Sequence, residues 1–120
     1  MHTGEQVPAV HLGVKLTEAL VEMTRKGLGM TAVVDDEQRV AGIFTDGDLR
    51  RVFDIHADMR DILIDDVMTA NCKTIQADLL AAEAVHIMEN SNINGFLVVD
   101  KQRKLQGAFN MLDLLRAGVV

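Results

Sequence analysis

A hydroxyl and a carboxylate stand three positions apart where an apolar segment gives way to a short amphipathic one. Thr45 and Asp48 follow the apolar run Val40–Phe44. At a strand-to-helix junction, a phosphate would accept hydrogen bonds from the first helical N–H groups and from Thr45, and Asp48 would accept from sugar hydroxyls. The same Thr-x-x-Asp spacing is also that of an N-cap with an acidic residue at the third helical position. The local sequence leaves both interpretations open.

Two arginines follow within one helical turn of this pair. Either Arg50 or Arg51 could bind a phosphate through two parallel hydrogen bonds. Because Asp46 and Asp48 lie nearby, a local ion pair is the favoured interpretation for Arg51, so Arg50 is the predicted phosphate contact. His11 could hydrogen-bond a base or a sugar, although a single histidine is more often a surface or packing residue.

The remaining reactive side chains predict neither catalysis nor a cofactor. The four histidines are scattered without metal-ligand spacing, and Cys72, the single cysteine, has no neighbouring histidine to activate it. We therefore expect no metal site and no catalytic residue. A net charge of −6 and a pI of 5.0 argue against nucleic acid and anionic membranes as partners. The lone cysteine and the lack of a run long enough to cross a bilayer fit a cytoplasmic protein.

An internal repeat organises the chain. Shifting the sequence by 65 aligns residues 10–55 with residues 75–120 without a gap, and about eleven aligned pairs are identical. The identical pairs cluster in three groups, which include Glu18/Glu83, Val33/Val98 and Asp48/Asp113. We expect repeat 1 at 1–56, a linker at 57–74 and repeat 2 at 75–120.

Each copy has the pattern of a helix, a hairpin and a second helix. In repeat 1 the spacing of Leu16, Ala19, Leu20 and Met23 predicts a helix ending at Gly27, followed by strands Thr31–Val34 and Val40–Phe44 and a helix from Asp46. The equivalent predictions in repeat 2 are Leu79–Glu89, Phe96–Val99, Leu105–Phe109 and Leu112–Arg116. The linker should contain one helical turn. A unit of this size leaves one sheet face uncovered, so the two copies should pack against each other with pseudo-twofold symmetry.

The junction motif resembles that of a known domain family. The strings G-I-F-T-D-G-D-L at Gly42–Leu49 and G-A-F-N-M-L-D-L at Gly107–Leu114 resemble the strand-to-helix signature of cystathionine-β-synthase (CBS) domains. Asp66–Thr69 and Met1–Gly4 resemble the segments that precede each such domain. The resemblance implies an α/β (α+β) fold of two β-α-β-β-α CBS repeats that binds a nucleotide in the cleft between them.

The family resemblance also implies ligand-binding residues. It assigns this role to Thr45 and Asp48 and, by analogy, to strand residues beside the base; the full predicted set is Thr45, Asp48, Arg50, Asn110, Asp113, His11, Thr31 and Ala32. Asn110 replaces the threonine of the first copy, and the Thr-Asp-Gly of repeat 1 is absent from repeat 2. We therefore expect the site of repeat 1 to be the stronger one.

A closer similarity is to the C-terminal part of arabinose 5-phosphate isomerases. It is carried by H-T-G-E at the start, G-I-F-T-D-G-D-L-R-R in the middle and D-L-L-R-A-G-V-V at the end. That family, which feeds lipopolysaccharide sugar synthesis, carries its chemistry in a preceding sugar-isomerase (SIS) domain. The resemblance implies a non-enzymatic regulatory chain, Met1 as an internal methionine, an attached SIS domain, a homodimer formed through CBS helices, and an AMP-like nucleotide or the CMP-sugar CMP-Kdo as ligand.

Two other functions compete with nucleotide sensing. The pair of repeats could be a structural or oligomerisation module whose sites stay empty. The string A-V-V-D-D-E at Ala32–Glu37 also resembles the start of a response-regulator receiver. A receiver should place that acidic pair directly after its first strand, whereas Asp35 recurs as Asp100 in a predicted hairpin turn. The receiver is therefore the least favoured alternative.

Overall fold

The computed structural model describes residues 3–55, 58–70, 72, 74–76 and 95–110. A 3-10 turn at Gly4–Gln6 leads into the first repeat, whose elements are β1 Ala9–His11, α1 Leu16–Lys26, β2 Met30–Val34, β3 Val40–Thr45 and α2 Asp46–Ile55. The elements that follow are α3 Ile64–Val67, β4 Thr69–Ala70, β5 Thr74–Gln76, β6 Gly95–Val99 and β7 Leu105–Asn110. In the described part of the chain, no helix is both long and apolar enough to cross a membrane.

The elements predicted for repeat 1 are confirmed with small changes in their ends. Helix α1 ends at Gly27, whose φ of 73° is left-handed and whose N–H donates to the Met23 carbonyl oxygen. Glycine is favoured at this position because it has no Cβ to clash in that conformation. The helices predicted at Leu79–Glu89 and Leu112–Arg116 lie outside the described residues, whereas both predicted strands of repeat 2 are present.

The sheet registers reproduce the sequence repeat. One sheet has the order β1-β2-β3-β4 and the other β5-β6-β7. In the parallel pairs, Ala9 faces Ala32 and Thr74 faces Leu97, so both partners shift by 65 between copies. In the antiparallel hairpins, Thr45 faces Met30 as Asn110 faces Gly95, and both hairpins contain an irregularity at the same place. The two copies therefore share one backbone design.

The hairpin turns are also equivalent. Asp35 accepts hydrogen bonds at Oδ1 from the N–H groups of Glu37 and Arg39, and Asp100 does the same for Gln102 and Lys104. The N–H of Arg39 is the main cause that lowers the pKa of the Asp35 carboxyl. The aspartate side chain thus accepts from turn N–H groups that cannot pair with a neighbouring strand.

The pseudo-twofold axis passes between these two turns. Arg39 and Lys104, which are equivalent residues, form an antiparallel bridge. On either side of it, the Val40 N–H donates to the Arg103 carbonyl at 2.9 Å and the Leu105 N–H donates to the Gln38 carbonyl at 3.0 Å. These reciprocal bonds show directly that the repeats are related by a twofold operation.

Two apolar clusters cover the two faces of the first sheet. The cluster between the repeats contains Val7, Met30, Ala32, Val34 and Val40 from one side and Leu97, Val99 and Ala108 from the other. The second cluster lies under the helices of repeat 1 and contains Leu16, Ala19, Met23, Val33, Phe44, Val52 and Ile64. Because both faces are covered, every residue of β2 is buried. A strand buried on both faces is expected to be nearly all apolar, as β2 is apart from Thr31, whose hydroxyl donates to the Ala32 carbonyl.

The linker adds a strand that the sequence analysis did not predict. Its helical turn α3 is confirmed, but it is followed by β4, which pairs antiparallel with Gly42 and Ile43 of β3. The backbone can approach so closely because Gly42 has no side chain: a Cβ there would lie 2.7 Å from the Thr69 carbonyl oxygen. The linker thus forms part of the first sheet.

One contact between the repeats breaks the symmetry. The guanidinium of Arg103 donates to the Val40 carbonyl at 2.9 Å, to Thr74 Oγ1 at 3.3 Å and to the Cys72 carbonyl at 3.2 Å. The equivalent residue Gln38 is shorter, and Ala9 stands where repeat 2 has Thr74. Arg103 therefore ties the turn of repeat 2 to both the first hairpin and the linker end.

We predict that Gly42→Ala lowers the free energy of unfolding by about 1–3 kcal/mol, since overpacking a filled site forces neighbours to move. The added methyl would meet the Thr69 carbonyl oxygen at 2.7 Å and Met68 Sδ at 2.8 Å. Chemical denaturation measures the effect. Gly47→Ala is the control, because its nearest contact is 3.6 Å and alanine in a helix is favoured over glycine by about 0.5–1 kcal/mol. Equal losses would contradict the close approach of β4.

Candidate functional site

Thr45 and Asp48 form a reciprocal hydrogen-bonded pair at the start of α2. The Asp48 N–H donates to Thr45 Oγ1 at 3.3 Å, and Asp48 Oδ2 accepts from the Thr45 N–H at 3.0 Å and from its hydroxyl at 3.1 Å. This is the geometry of a capping box, which satisfies two backbone donors at a helix start. The structure therefore shows that the pair caps the helix. Any ligand that binds Thr45 and Asp48 must contact the atoms that form this cap.

The second carboxylate oxygen of Asp48 links three elements. Oδ1 accepts from the guanidinium of Arg51 one turn along α2 and, at 3.1 Å, from the hydroxyl of Thr69 in β4. The side chain of Asp48 is 6% exposed and that of Arg51 is 67% exposed. A nearly buried carboxylate is thus held by donors from α2, its N-cap and the linker strand, as buried charges require.

The first turn of α2 retains a position where an anion could approach. The Thr45 and Asp48 N–H groups are taken by the capping box, and the Asp46 N–H donates to the Gly29 carbonyl at 3.1 Å. Gly47 lies between the Thr45 hydroxyl and the Arg51 guanidinium, 3.6 and 3.9 Å from where its Cβ would be. The sequence predicts several free helix N–H groups at this junction. Among the first N–H groups of α2, all of them described, that of Gly47 is the one without an acceptor. It is flanked by a hydroxyl and a cation.

The structure brings Arg51, and not Arg50, into this group. Arg50 is exposed on α2 and lies outside the hydrogen bonds of Asp48. The predicted ion pair of Arg51 with Asp48 is present. Arg50 as a phosphate contact stays a prediction that its position does not favour.

The strand residues of the predicted site are placed differently. Thr31 and Ala32 are fully buried inside β2, where the Thr31 hydroxyl donates to the Ala32 carbonyl at 3.1 Å. His11 is exposed and pairs with Val34, at the opposite end of β2 from Met30, the partner of Thr45. Four residues of strand place His11 about 13 Å along the sheet from the junction. The structure therefore does not bring His11 together with Thr45 and Asp48.

In the second copy, the described residues end at the junction itself. Asn110 is the last residue of β7, opposite Gly95, and is partly buried. Asp113, the counterpart of Asp48, lies outside the described residues. Within the described ranges, no three His, Cys, Asp or Glu side chains are grouped as a metal site.

Two residues of interest were not predicted from the sequence. Thr69 belongs to the Asp66–Thr69 motif but was not assigned a contact, because only the unexpected β4 brings it to Asp48. Arg103 lies in the hairpin turn of repeat 2. The sequence points to its contacts only in that a longer side chain stands where repeat 1 has Gln38.

Burial raises the pKa of the Cys72 thiol, which lies beside Arg103, by more than the charge of the guanidinium lowers it. A thiol with a raised pKa is a poor nucleophile.

The architecture and the junction define a class of protein. Two copies of a three-stranded unit are joined about a pseudo-twofold axis, and the first carries a Thr-x-x-Asp junction. Together they form a tandem-repeat α/β module. The CBS domain family matches residues 1–55 and 64–120, and the chain therefore belongs to the CBS domain family.

Individual relatives agree with this assignment. The chain is 58% identical over 120 residues to the arabinose 5-phosphate isomerase KdsD of Pseudomonas aeruginosa, covering 100% of this chain and 37% of that protein. It thus spans just over a third of the relative. The CBS domain pair of protein MJ0100 in complex with 5′-methylthioadenosine and S-adenosyl-L-methionine superposes with a TM-score of 0.83 at 22% identity, covering 97% of this chain and 90% of that one. CBSX2 in complex with AMP gives a TM-score of 0.82 at 20% identity, covering 99% and 92%.

The family match settles the class of the chain. It is a CBS domain pair, a regulatory module, and not an enzyme's catalytic domain. The receiver alternative is wrong, because Asp35 lies in a hairpin turn between antiparallel strands.

We predict that Asp48→Ala lowers the free energy of unfolding by about 1–3 kcal/mol, because donors from three elements lose their acceptor. Denaturant titration measures it. Asp46→Ala is the matched control: that carboxylate is exposed on the same turn, and its interaction with the helix dipole is worth about 0.3–1 kcal/mol. Equal losses from both variants would show that the contacts of Asp48 add nothing beyond a charge at the helix start.

Proposed function

We propose that this chain is the regulatory, nucleotide-sensing CBS pair of a sugar-phosphate isomerase of the arabinose 5-phosphate isomerase type. The observation that carries this proposal is the 58% identity to KdsD along the whole chain. The identity extends beyond the junction motif that CBS domains share, so it supports a common parent protein as well as a common fold. The pair would then act with an attached SIS domain, in the cytoplasm, in the pathway to the lipopolysaccharide sugar Kdo.

The proposed ligand site is the junction of repeat 1, at the cleft between the repeats. The Gly47 N–H and the Arg51 guanidinium are donors suited to a phosphate. The Thr45 hydroxyl, which donates to Asp48 Oδ2, would have to turn toward the phosphate to join them. Asp48 beside them suits ribose hydroxyls, since an ionised carboxylate only accepts. Support from related folds comes from CBSX2 in complex with AMP and the MJ0100 pair in complex with adenosine-derived ligands.

A nucleoside monophosphate, or a CMP-sugar, fits this site better than a polyphosphate. The chain carries a net charge of −6. At the junction, Arg51 is shared with Asp48, and Asp46 adds a second carboxylate. Extra phosphates would therefore meet more negative than positive charge. AMP and CMP-Kdo are the two proposed ligands, the second because it is the activated product of the pathway and a logical feedback signal.

Regulation is proposed to work through the angle between the repeats. A ligand held at the cleft changes that angle only if it binds one arrangement more tightly than the other. The structure joins the repeats through an apolar cluster and through Arg103, which spans both. A shift at this interface would bias an attached isomerase domain, and substrate and effector would then influence each other's binding equally.

A structural role is the second candidate function, favoured by one observation. Phe53 and Ile55 at the end of α2 are 61% and 76% exposed, and large apolar side chains this exposed are candidates for contact with a partner. Of the other apolar residues of α2, Val52 is buried in the core of repeat 1 and Leu49 packs against that core. Phe53 therefore remains the proposed dimer contact on this helix.

Thr45→Asn separates nucleotide binding from helix capping. Asparagine is as good an N-cap as threonine, and repeat 2 has Asn110 at this position, so stability should change little. Loss of the hydroxyl should weaken nucleotide binding about tenfold, the value of about one hydrogen bond to a charged group. AMP and CMP-Kdo are titrated separately, and the melting temperature and calorimetric Kd are recorded.

Thr17→Asn makes the same exchange on α1, away from the junction, and should bind like the wild type. A ligand that binds only the folded state must raise the melting temperature with concentration. If neither nucleotide does so at millimolar concentration, the sensor function is wrong and the structural module stands. If Thr45→Asn binds as tightly as the wild type, the Thr45 hydroxyl does not contribute to the site.

A further inference from the structure

The Asp48 carboxylate has no acceptor position to spare. An ionised carboxylate offers about four lone-pair positions. Four donors take them: the Thr45 N–H at 3.0 Å, the Thr45 hydroxyl at 3.1 Å, the Thr69 hydroxyl at 3.1 Å and the Arg51 guanidinium. A sugar hydroxyl can therefore bind Asp48 only by displacing one of these donors.

The two carboxylate oxygens differ in how firmly their donors are held. Both donors to Oδ2 belong to the N-cap residue, and one of them is a backbone N–H fixed at the end of β3. Both donors to Oδ1 come from exposed residues: Arg51, whose side chain is 67% exposed, and Thr69 in a strand of two residues. Displacement should occur at Oδ1, because moving its donors leaves the helix cap intact.

Thr69 is the donor whose release has consequences beyond the junction. It lies in β4, whose pairing with β3 covers only two residue pairs, Gly42 with Ala70 and Ile43 with Thr69. Cys72 and Thr74 follow within five residues, and both accept hydrogen bonds from Arg103 of repeat 2. Thr69 therefore lies only a few positions along the chain from the contact that joins the repeats.

We propose that Thr69 is a positioning residue that holds Asp48 Oδ1 and gives way when a ribose hydroxyl binds there, so that the linker strand β4 responds to ligand binding at repeat 1. This rests on the proposed nucleotide-sensing function. It adds a competition: the linker and the ligand bind the same carboxylate oxygen. The ligand must therefore replace the bond from Thr69.

The affinity test compares the wild type with Thr69→Val, which keeps the β-branched shape and removes the donor. Without the competing hydroxyl, AMP and CMP should bind about two- to tenfold tighter, the value of one net hydrogen bond. Thr69→Ser restores the hydroxyl and should return the Kd to that of the wild type. Thr17→Val makes the same change on α1 and should leave the Kd unchanged.

The linker test needs no ligand. Amide hydrogen exchange by NMR should be faster at residues 69 and 70 in Thr69→Val than in the wild type, Thr69→Ser or Thr17→Val, because a local contact protects amides by disfavouring opening. In the wild type, saturating AMP should also speed exchange at these two residues. In Thr69→Val the ligand should cause no further increase.

The outcomes separate the two claims. If the wild type binds nucleotide but Thr69→Val binds with equal or lower affinity, the competition is wrong and the sensing function stands. If neither AMP nor CMP-Kdo binds the wild type, the sensing function fails. The positioning role is then decided by the exchange measurement alone, and unchanged exchange in Thr69→Val would overturn it.

Discussion

The need to bury both faces of each small sheet governs this structure. Helices of repeat 1 cover one face of its sheet, and the other face carries Met30, Ala32, Val34 and Val40, which pack against the second sheet. Repeat 2 supplies that cover with Leu97, Val99 and Ala108. Because the copies are alike, mutual burial is best satisfied by a twofold arrangement, and the bridge between Arg39 and Lys104 lies where the axis must pass.

The symmetry of the backbone does not extend to the chemistry. Thr45 is replaced by Asn110 and Gly47 by Leu112 in the second copy, so the hydroxyl and the glycine belong to repeat 1 alone. Arg103, which replaces Gln38, belongs to repeat 2 and joins it to the linker. Identity is kept where the fold requires it, at the turn aspartates and the core strands. The two copies differ at the proposed ligand site and at the contact between the repeats.

Much of this was predictable from the sequence because it is local or repeated. Periodicity located α1 and the strands, and the 65-residue repeat predicted the twofold core. What could not be predicted depends on contacts between distant segments. Strand β4 is two residues long and exists because Gly42 admits the backbone of Thr69. The choice of Arg51 over Arg50, and the donor Thr69, follow from where Asp48 points in three dimensions. Local sequence left binding and capping open, and the structure shows the hydrogen bonds of the cap.

The central claim is that nucleotide binds at the junction of repeat 1 and not equally at its counterpart. A two-dimensional NMR titration of backbone amides with CMP-Kdo, and separately with AMP, tests this most directly. The Gly47 amide is the unclaimed donor of the first helical turn and should show a large shift on binding, while the amide of its counterpart Leu112 should move much less. Binding that leaves the Gly47 resonance in place, or moves both amides equally, would contradict the account.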